Sequence, residues 1–238
     1  MTLTSSAVYR FNQRFSAGVG VPIYFDRVST TTGTTSNAGL GDFFAALGAA
    51  WKNPALNFTT TLTGSAPTGD KNKGLSTGHA TFDWTNRVDH DFGRVTPFAS
   101  AGISNSVSNT RFFVRPFTSF GMAAHFEGGM DVDLAHSFSL TLSGYDIAPW
   151  GNQTVFSRIV GHGAVGPGGA HGRVFETNQQ TSGGASLTRD DGFTIGLTAS
   201  PKPYLDLELG YTRSMAFAMN TVAFGAVLNV SKLFHPAQ

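Results

Sequence analysis

Side chains that can carry charge recur at every second position in the longest regular segment of this chain. Between residues 120 and 134, His125, Glu127, Asp131 and Asp133 alternate with apolar or small residues. A period of two places successive side chains on opposite faces of an extended strand. The ionisable groups therefore share one face of a predicted strand, from which they could attract cations, hydrogen-bond polar solutes or exchange protons.

Two other histidine-containing segments are candidates for metal binding or catalysis. His162 and His171 flank the glycine-rich segment 161–172, and residues 89–91 read Asp-His-Asp. Two histidines on a glycine-rich loop make a poor metal site, and a solvated polar turn accounts for the triplet. No spacing of Ser, His and Asp residues stands out as a catalytic triad, and the glycine-rich segments lack the following helix of a phosphate loop. The sequence therefore predicts neither an enzyme, nor a cofactor, nor a metal site.

The same alternation of apolar and polar residues extends along most of the chain. The segment 120–134, at about 15 residues, is much longer than the usual strand of roughly 5–6 residues. No helix is predicted, and no linker divides the chain, so we expect a single all-β domain over residues 1–238. Eleven strands are predicted, at residues 3–11, 15–26, 41–51, 56–63, 79–85, 95–104, 120–134, 138–147, 193–199, 205–212 and 222–231.

The composition favours a barrel that crosses a membrane with strands. Charged residues make up 13% of the chain, about half of the roughly 25% of soluble proteins. No segment approaches the roughly 20 apolar residues that a spanning helix needs. The net charge of +1 and the absence of a basic stripe argue against nucleic acid as a partner. The chain has no cysteine, which excludes disulfides and thiolate chemistry.

In the clearly alternating parts of the predicted strands, the ionisable residues all occupy the polar positions and none occupies an apolar position. We therefore expect them to line the interior of the barrel. An Arg or Lys on the lipid face would cost about 2–4 kcal/mol near the midplane. An interior that is mostly acidic would favour cations, although neutralised pairs could instead simply brace the wall. The predicted lumen-lining residues are Arg10, Arg14, Tyr24, Asp26, Asp42, His79, Asp83, Arg87, His125, Glu127, Asp131, Asp133, Asp206 and Glu208.

Two soluble folds would give a similar alternation. A β-sandwich has the same strand period, and a lipocalin-like barrel would point its apolar face inward. The sandwich gives no reason for connections that alternate between short and long, whereas outer-membrane barrels have short periplasmic turns and longer external loops. The connections that we predict to be the longer ones are residues 28–40, 68–74, 107–111, 150–191 and 214–220. The apolar side chains are also too numerous for a narrow interior. We therefore predict an antiparallel up-and-down transmembrane β-barrel of 11–12 strands.

The strand count and the termini lead to two further expectations. Single-chain bacterial barrels have even strand numbers, so we expect a twelfth strand, either before the N-terminus or within the long external loop 150–191. A barrel of this type must be exported, and the N-terminus lacks the pattern of a secretory leader. We therefore expect that a leader precedes this sequence in the precursor.

Three short motifs resemble a known family. Residues 38–42 read Ala-Gly-Leu-Gly-Asp, residues 66–70 read Ala-Pro-Thr-Gly-Asp, and residues 74–78 read Gly-Leu-Ser-Thr-Gly. This order is similar to that of the outer-membrane family named for the meta-pathway of phenol degradation. The resemblance implies a bacterial outer-membrane barrel that passes aromatic or other poorly soluble compounds. It carries over no catalytic residues.

The last strand has a second resemblance. Residues 225–230 read Gly-Ala-Val-Leu-Asn-Val, and Phe234 follows in the apolar phase. This is similar to the C-terminal signal that the barrel-assembly machinery recognises, although four further residues follow Phe234 here. The expected partners are therefore outer-membrane lipid, the assembly machinery and a small-molecule solute.

Three functions remain open at this point. The first is an outer-membrane channel for small solutes, acting by passive diffusion, into which the loop 150–191 could fold as a plug. The second is a non-conducting structural or adhesion barrel that uses the same loop for binding. The third, a lipid-modifying enzyme, lacks a catalytic constellation. Neither the solute nor the oligomeric state follows from the sequence.

Overall fold

β-Strands dominate the computed structural model, which describes residues 2–30, 33–107, 109, 112–160, 175, 178–230 and 232. Two short 3₁₀ helices, Lys71–Lys73 and Ala185–Leu187, lie between strands. Among the described residues, no helix has both the length and the apolar character needed to cross a membrane. The strands are β1 (Thr2–Arg10), β2 (Phe15–Thr30), β3 (Gly33–Leu40), β4 (Phe43–Trp51), β5 (Asn57–Ala66), β6 (Thr81–Asp89), β7 (Val95–Ser104), β8 (Phe117–Phe120), β9 (Ala123–Ala135), β10 (Phe138–Pro149), β11 (Gln153–Ser157), β12 (Gln180–Gly183), β13 (Asp190–Lys202), β14 (Leu205–Ser214) and β15 (Met219–Leu228).

Neighbours in sequence pair in one antiparallel sheet, in the order β1-β2-β4-β5-β6-β7-β9-β10-β13-β14-β15. β3 also pairs with β2, beyond the part of β2 that pairs with β4. β3 and β4 are therefore two halves of one long strand, interrupted at residues 41–42. With this pair counted once, the sheet has the eleven strands that the alternation predicts. The predicted fold class, an all-β up-and-down barrel, is confirmed.

The apolar face of the sheet points outward. On β9, Phe126 and Met130 are 49% and 41% exposed. Glu127 and Asp131, which directly follow them in sequence, are partly buried. Leu62 on β5 and Leu209 on β14 are exposed in the same way. An exposed apolar surface of this extent requires a hydrocarbon environment. On β9, Glu127 and Asp131 are thus less exposed than Phe126 and Met130, as we expect if the ionisable face lines the interior.

The prediction of one unbroken strand over residues 120–134 is wrong at its N-terminal end. β9 begins at Ala123, and Phe120 ends β8, which belongs to a different sheet. The backbone φ of Gly121 is 150°, and a Cβ there would lie 2.3 Å from Oε1 of Gln153. The alternation passes through Gly121 in sequence, but the chain turns there because only glycine fits.

The connections at one end of the sheet are short, as predicted, at residues 11–14, 52–56, 90–94, 136–137 and 203–204. At the opposite end, the prediction of a loop over residues 28–40 is wrong, because β2 and β3 continue as a hairpin with the register Thr30↔Gly33. The connection between β14 and β15 is also short, at residues 215–218. The long connections are 67–80, 105–122 and 150–189.

These three long connections form one packed substructure, here called the cap and defined as the described residues of 67–80, 105–122 and 150–189. The cap contains the second sheet of the structure, whose three strands lie in the order β12-β11-β8. The rings of Phe117 and Phe175 lie 5.1 Å apart, and Phe217 of the β14–β15 turn contacts both. The described residues of the predicted long loop 150–191 thus include two strands, and Val155 and Phe175 share an apolar core with Phe117.

Candidate functional site

The cap reaches the inner surface of the barrel wall at Phe112. Gly196 of β13 and Gly210 of β14 are opposite each other in register, and Phe112 lies over both. A Cβ at Gly210 would come within 2.2 Å of Cδ1 of the Phe112 ring. The hydroxyl of Thr212 donates to the backbone carbonyl of Phe112 at 3.4 Å. Since Gly196 lies at the middle of β13, the cap extends well into the interior.

A larger residue at Gly210 should therefore displace this part of the cap. For Gly210→Val we expect a loss of about 1–3 kcal/mol in the free energy of unfolding, because the new side chain overlaps Phe112. Urea unfolding in lipid vesicles measures this change. Gly128→Val is the matched control, since Gly128 faces outward and its added Cβ would be 4.0 Å from the nearest atom. Equal losses in the two variants would contradict the packing of Phe112 on the wall.

A buried ion pair joins the cap to the barrel wall. Nη2 of Arg115 lies 2.8 Å from Oδ2 of Asp190 at the start of β13, and both side chains are 0% exposed. Asp190 also accepts hydrogen bonds from Tyr145 at 3.1 Å and Ser214 at 2.6 Å. The guanidinium of Arg115 stacks on the ring of Phe113 at 4.5 Å. One carboxylate thereby connects the cap to β10, β13 and β14.

A second buried arginine tethers the cap at β2. Nε of Arg158 lies 3.2 Å from Oδ2 of Asp26, and its guanidinium stacks on Tyr24 at 4.3 Å. Nδ2 of Asn37 donates to the backbone carbonyls of Lys73 and Arg158. Burial lowers the pKa of Arg158, and the nearby Tyr24 and Asp26 oppose this shift. Tyr24 and Asp26, both predicted to line the interior, are thus contacts of the cap.

Beneath the cap lies a cavity of about 540 Å³ inside the barrel, a volume within the range of roughly 300–1,000 Å³ for small-molecule sites. Five of the predicted residues line it, namely Tyr24, Asp42, Asp83, His125 and Glu127. Further lining residues come from the barrel wall and the cap, among them Phe44, Thr63, Val107, Asn109, Phe117, Tyr145 and Ile147.

The carboxylates of this cavity accept hydrogen bonds from the wall or from the cap. Nε2 of His125 lies 3.3 Å from Oδ2 of Asp83, whose Oδ1 accepts a bond from Thr85 at 2.6 Å. Oε1 of Glu127 accepts a bond from Ser143 at 2.7 Å. Oδ1 of Asp42 accepts the backbone N–H of residue 69 at 3.0 Å. The carboxylates are therefore held in defined positions around the cavity.

A second set of predicted interior residues lies outside this cavity, towards the short-turn end. Nη2 of Arg87 lies 3.4 Å from Oδ2 of Asp131, and its Nε lies 3.8 Å from Oδ1 of Asp89. Asp206 accepts a bond from Ser200 at 2.6 Å. Glu208 is half-buried on β14. These contacts favour the second interpretation given in the sequence analysis, in which pairs of opposite charge stabilise the wall.

The remaining predicted residues are not brought together with either set. Arg10, Arg14 and Asp133 are exposed near the short-turn end of the strands. His79 lies before β6 rather than in it, is exposed, and stacks on Phe120 at 4.6 Å.

The alternation could not identify the residues that the cap contributes. Val107, Asn109, Phe117 and the two buried arginines lie in irregular segments or short strands, where no period marks the face that points inward. Among the described residues, no three potential ligands cluster to hold a metal ion. The glycine-rich segment with His162 and His171 lies outside the described residues.

The comparisons with known proteins agree with this architecture. Residues 3–111 match the family described as "Putative MetA-pathway of phenol degradation", which confirms the resemblance seen in the motifs. The chain is similar to the crystal structure of an outer membrane channel from Pseudomonas putida F1, with a TM-score of 0.56 and 15% identity. The likeness covers 94% of this chain and 79% of that one. At such low identity it establishes the fold alone. No match is found among the curated proteins.

Proposed function

We propose that this protein is an outer-membrane channel that passes small solutes by passive diffusion. The observation that carries the proposal is the cavity inside the barrel, whose lining combines polar and apolar side chains, while the outer surface of the barrel is apolar. The fold that it shares with an outer membrane channel supports the same location and role. We assign no catalytic role to the charged network formed by the described residues.

Aromatic compounds are the solutes that the lining favours. Phe44, Phe117, Tyr145 and Ile147 provide apolar contact area around the cavity, and hydroxyl and carboxylate groups lie beside them. A ring with a polar substituent matches such a mixed lining. The matching family, described by its link to phenol degradation, is consistent with this solute class.

The cap favours a low conductance in the resting state. It reaches the middle of β13 and is held by two buried arginines, so a solute must pass between the cap and the wall or wait for the cap to shift. The same tethers support the second candidate, a non-conducting barrel whose cap binds a partner. The two candidates differ in one measurable property, which is conductance.

The decisive experiment is single-channel recording of the purified protein in planar lipid bilayers. We expect small, discrete current steps in KCl. Under a KCl gradient, we expect a reversal potential that indicates preference for K⁺ over Cl⁻, because carboxylates outnumber basic groups among the described residues that line the cavity. Liposome swelling with small sugars provides an independent measure of passage. The complete absence of current and swelling would reject the channel and favour the non-conducting barrel.

A further inference from the structure

A depression in the barrel surface lies at the short-turn end, beside the turn that joins β9 to β10. Its volume is about 390 Å³, and its lining comes from the β6–β7 and β9–β10 turns and from the adjoining ends of β9, β10 and β13. Backbone hydrogen bonds hold these segments together. The N–H of Asp133 donates to the carbonyl of Arg94 at 2.8 Å, and the N–H of Ser200 donates to that of Ser137 at 2.7 Å. The depression is therefore a fixed part of the wall.

Two charged side chains of opposite sign line this depression without pairing. Arg94 and Asp133 lie next to each other on neighbouring strands, and both side chains are exposed. In the part of the chain that the structure describes, neither side chain takes part in an ion pair or a hydrogen bond. His136 is the other ionisable group in the lining. A guanidinium and a carboxylate arranged in this way can hold a ligand that carries one negative and one positive group.

The same depression opens onto the apolar outer face of the barrel. Leu134 and Phe138 line it and are 53% and 48% exposed. Leu134 continues the outward row of β9 that contains Met130, and Phe138 lies opposite Ala199 on β13. Aromatic residues near the strand ends of membrane barrels form girdles at the interface between lipid and water. The two charges are therefore placed at the level of the lipid headgroups, with hydrocarbon beside them.

We propose that this depression binds one phospholipid whose headgroup is zwitterionic and ends in a primary ammonium group. The phosphate accepts hydrogen bonds from the guanidinium of Arg94, a geometry that arginine favours. The ammonium group donates to Asp133, and the acyl chains lie against Leu134 and Phe138. A choline headgroup has no N–H to donate to Asp133, and a glycerol headgroup has no positive charge. The assignment is independent of whether the barrel conducts.

Native mass spectrometry of the intact protein, released from detergent micelles, tests this assignment. The probes are phosphatidylethanolamine, phosphatidylcholine and phosphatidylglycerol with identical acyl chains, each added alone at the same concentration. We expect the one-to-one complex with phosphatidylethanolamine to be at least about threefold more abundant than the other two, a ratio typical of one exposed ionic contact. Arg94→Gln should lower the retention of all three lipids. Asp133→Asn should lower phosphatidylethanolamine to the level of phosphatidylcholine.

The matched controls are Arg14→Gln and Asp91→Asn, because both residues are exposed at short turns and lie outside the depression. They should leave the retention of all three lipids unchanged, and a heat-dependent shift on SDS gels verifies that each variant is a folded barrel. Glycerophosphoethanolamine, the same headgroup without acyl chains, should fail to displace the lipid. Equal retention of the three lipids, a preference that survives Asp133→Asn, or full displacement by the free headgroup would each overturn the assignment.

Discussion

Asp190→Asn should destabilise the protein by about 3–5 kcal/mol and loosen the cap. The substitution removes the negative charge but leaves the guanidinium of Arg115, which is 0% exposed, buried without its counter-ion. It also weakens the acceptor of Tyr145 and Ser214, so β10 and β14 lose part of their connection to the start of β13. Urea unfolding in lipid vesicles measures the loss. In planar bilayers, the variant should show larger current steps than the native protein.

An exposed ion pair provides the matched control for this prediction. Arg189 and Asp146 lie 3.8 Å apart, with side chains 63% and 42% exposed. Arg189→Met should cost no more than about 1 kcal/mol, because exposed pairs contribute little. The double variant Arg115→Met/Asp190→Asn should be more stable than Asp190→Asn alone, since no charge remains buried and the amide oxygen at residue 190 can still accept a hydrogen bond. If Asp190→Asn proved as mild as Arg189→Met, the cap would not depend on this pair.

Leu62→Arg should destabilise the barrel by about 2–4 kcal/mol, and Thr63→Arg by much less. Leu62 lies in the middle of β5, is 49% exposed on the outer face, and has Leu47 and Trp84 opposite it on the neighbouring strands. A charge at that position would face hydrocarbon near the midplane. Thr63, the next residue, faces the cavity and lies opposite Asp83.

The two free energies of unfolding, measured in the same vesicles, decide which face meets lipid. The two residues are adjacent on one strand, so the two variants introduce arginine at nearly the same depth in the membrane and in the same strand. The difference between their free energies of unfolding therefore reports mainly which face the arginine enters. A larger loss for Thr63→Arg than for Leu62→Arg would mean that the apolar stripe lies inside. In that case the assignment of the cavity residues would also be wrong.

The barrel wall is predictable from sequence because its period is local. Each strand needs only alternate side chains of two kinds, so Phe126 and Met130 can be assigned to the outside and Glu127 to the inside without knowledge of any neighbour. The eleven strands and their short turns follow from the same pattern. The pattern fails at Gly121, where the alternation continues in the residue types but the backbone φ ends the strand.

The hairpin of β2 and β3 shows a different limit. Residues 28–40 are rich in Thr, Ser and Gly, a composition typical of a loop, yet residues 28–30 and 33–40 form paired strands. Outside an apolar environment a strand needs no alternation of apolar residues. The length of this hairpin is visible only in the backbone pairing of β3 with β2. That pairing lies beyond the contacts between β2 and β4.

What the sequence determined by itself is therefore the wall: an all-β barrel with an apolar outer face and an ionisable inner one. The contacts between the cap and the inner surface of the barrel, in contrast, follow only from the three-dimensional structure. Arg115 and Asp190 lie 75 residues apart and form one pair, and Phe112 packs on two glycines of separate strands. Contacts of this kind are made by chain segments that lack a regular alternation of apolar and polar residues. Their partners depend on complementary shape and charge in the folded barrel.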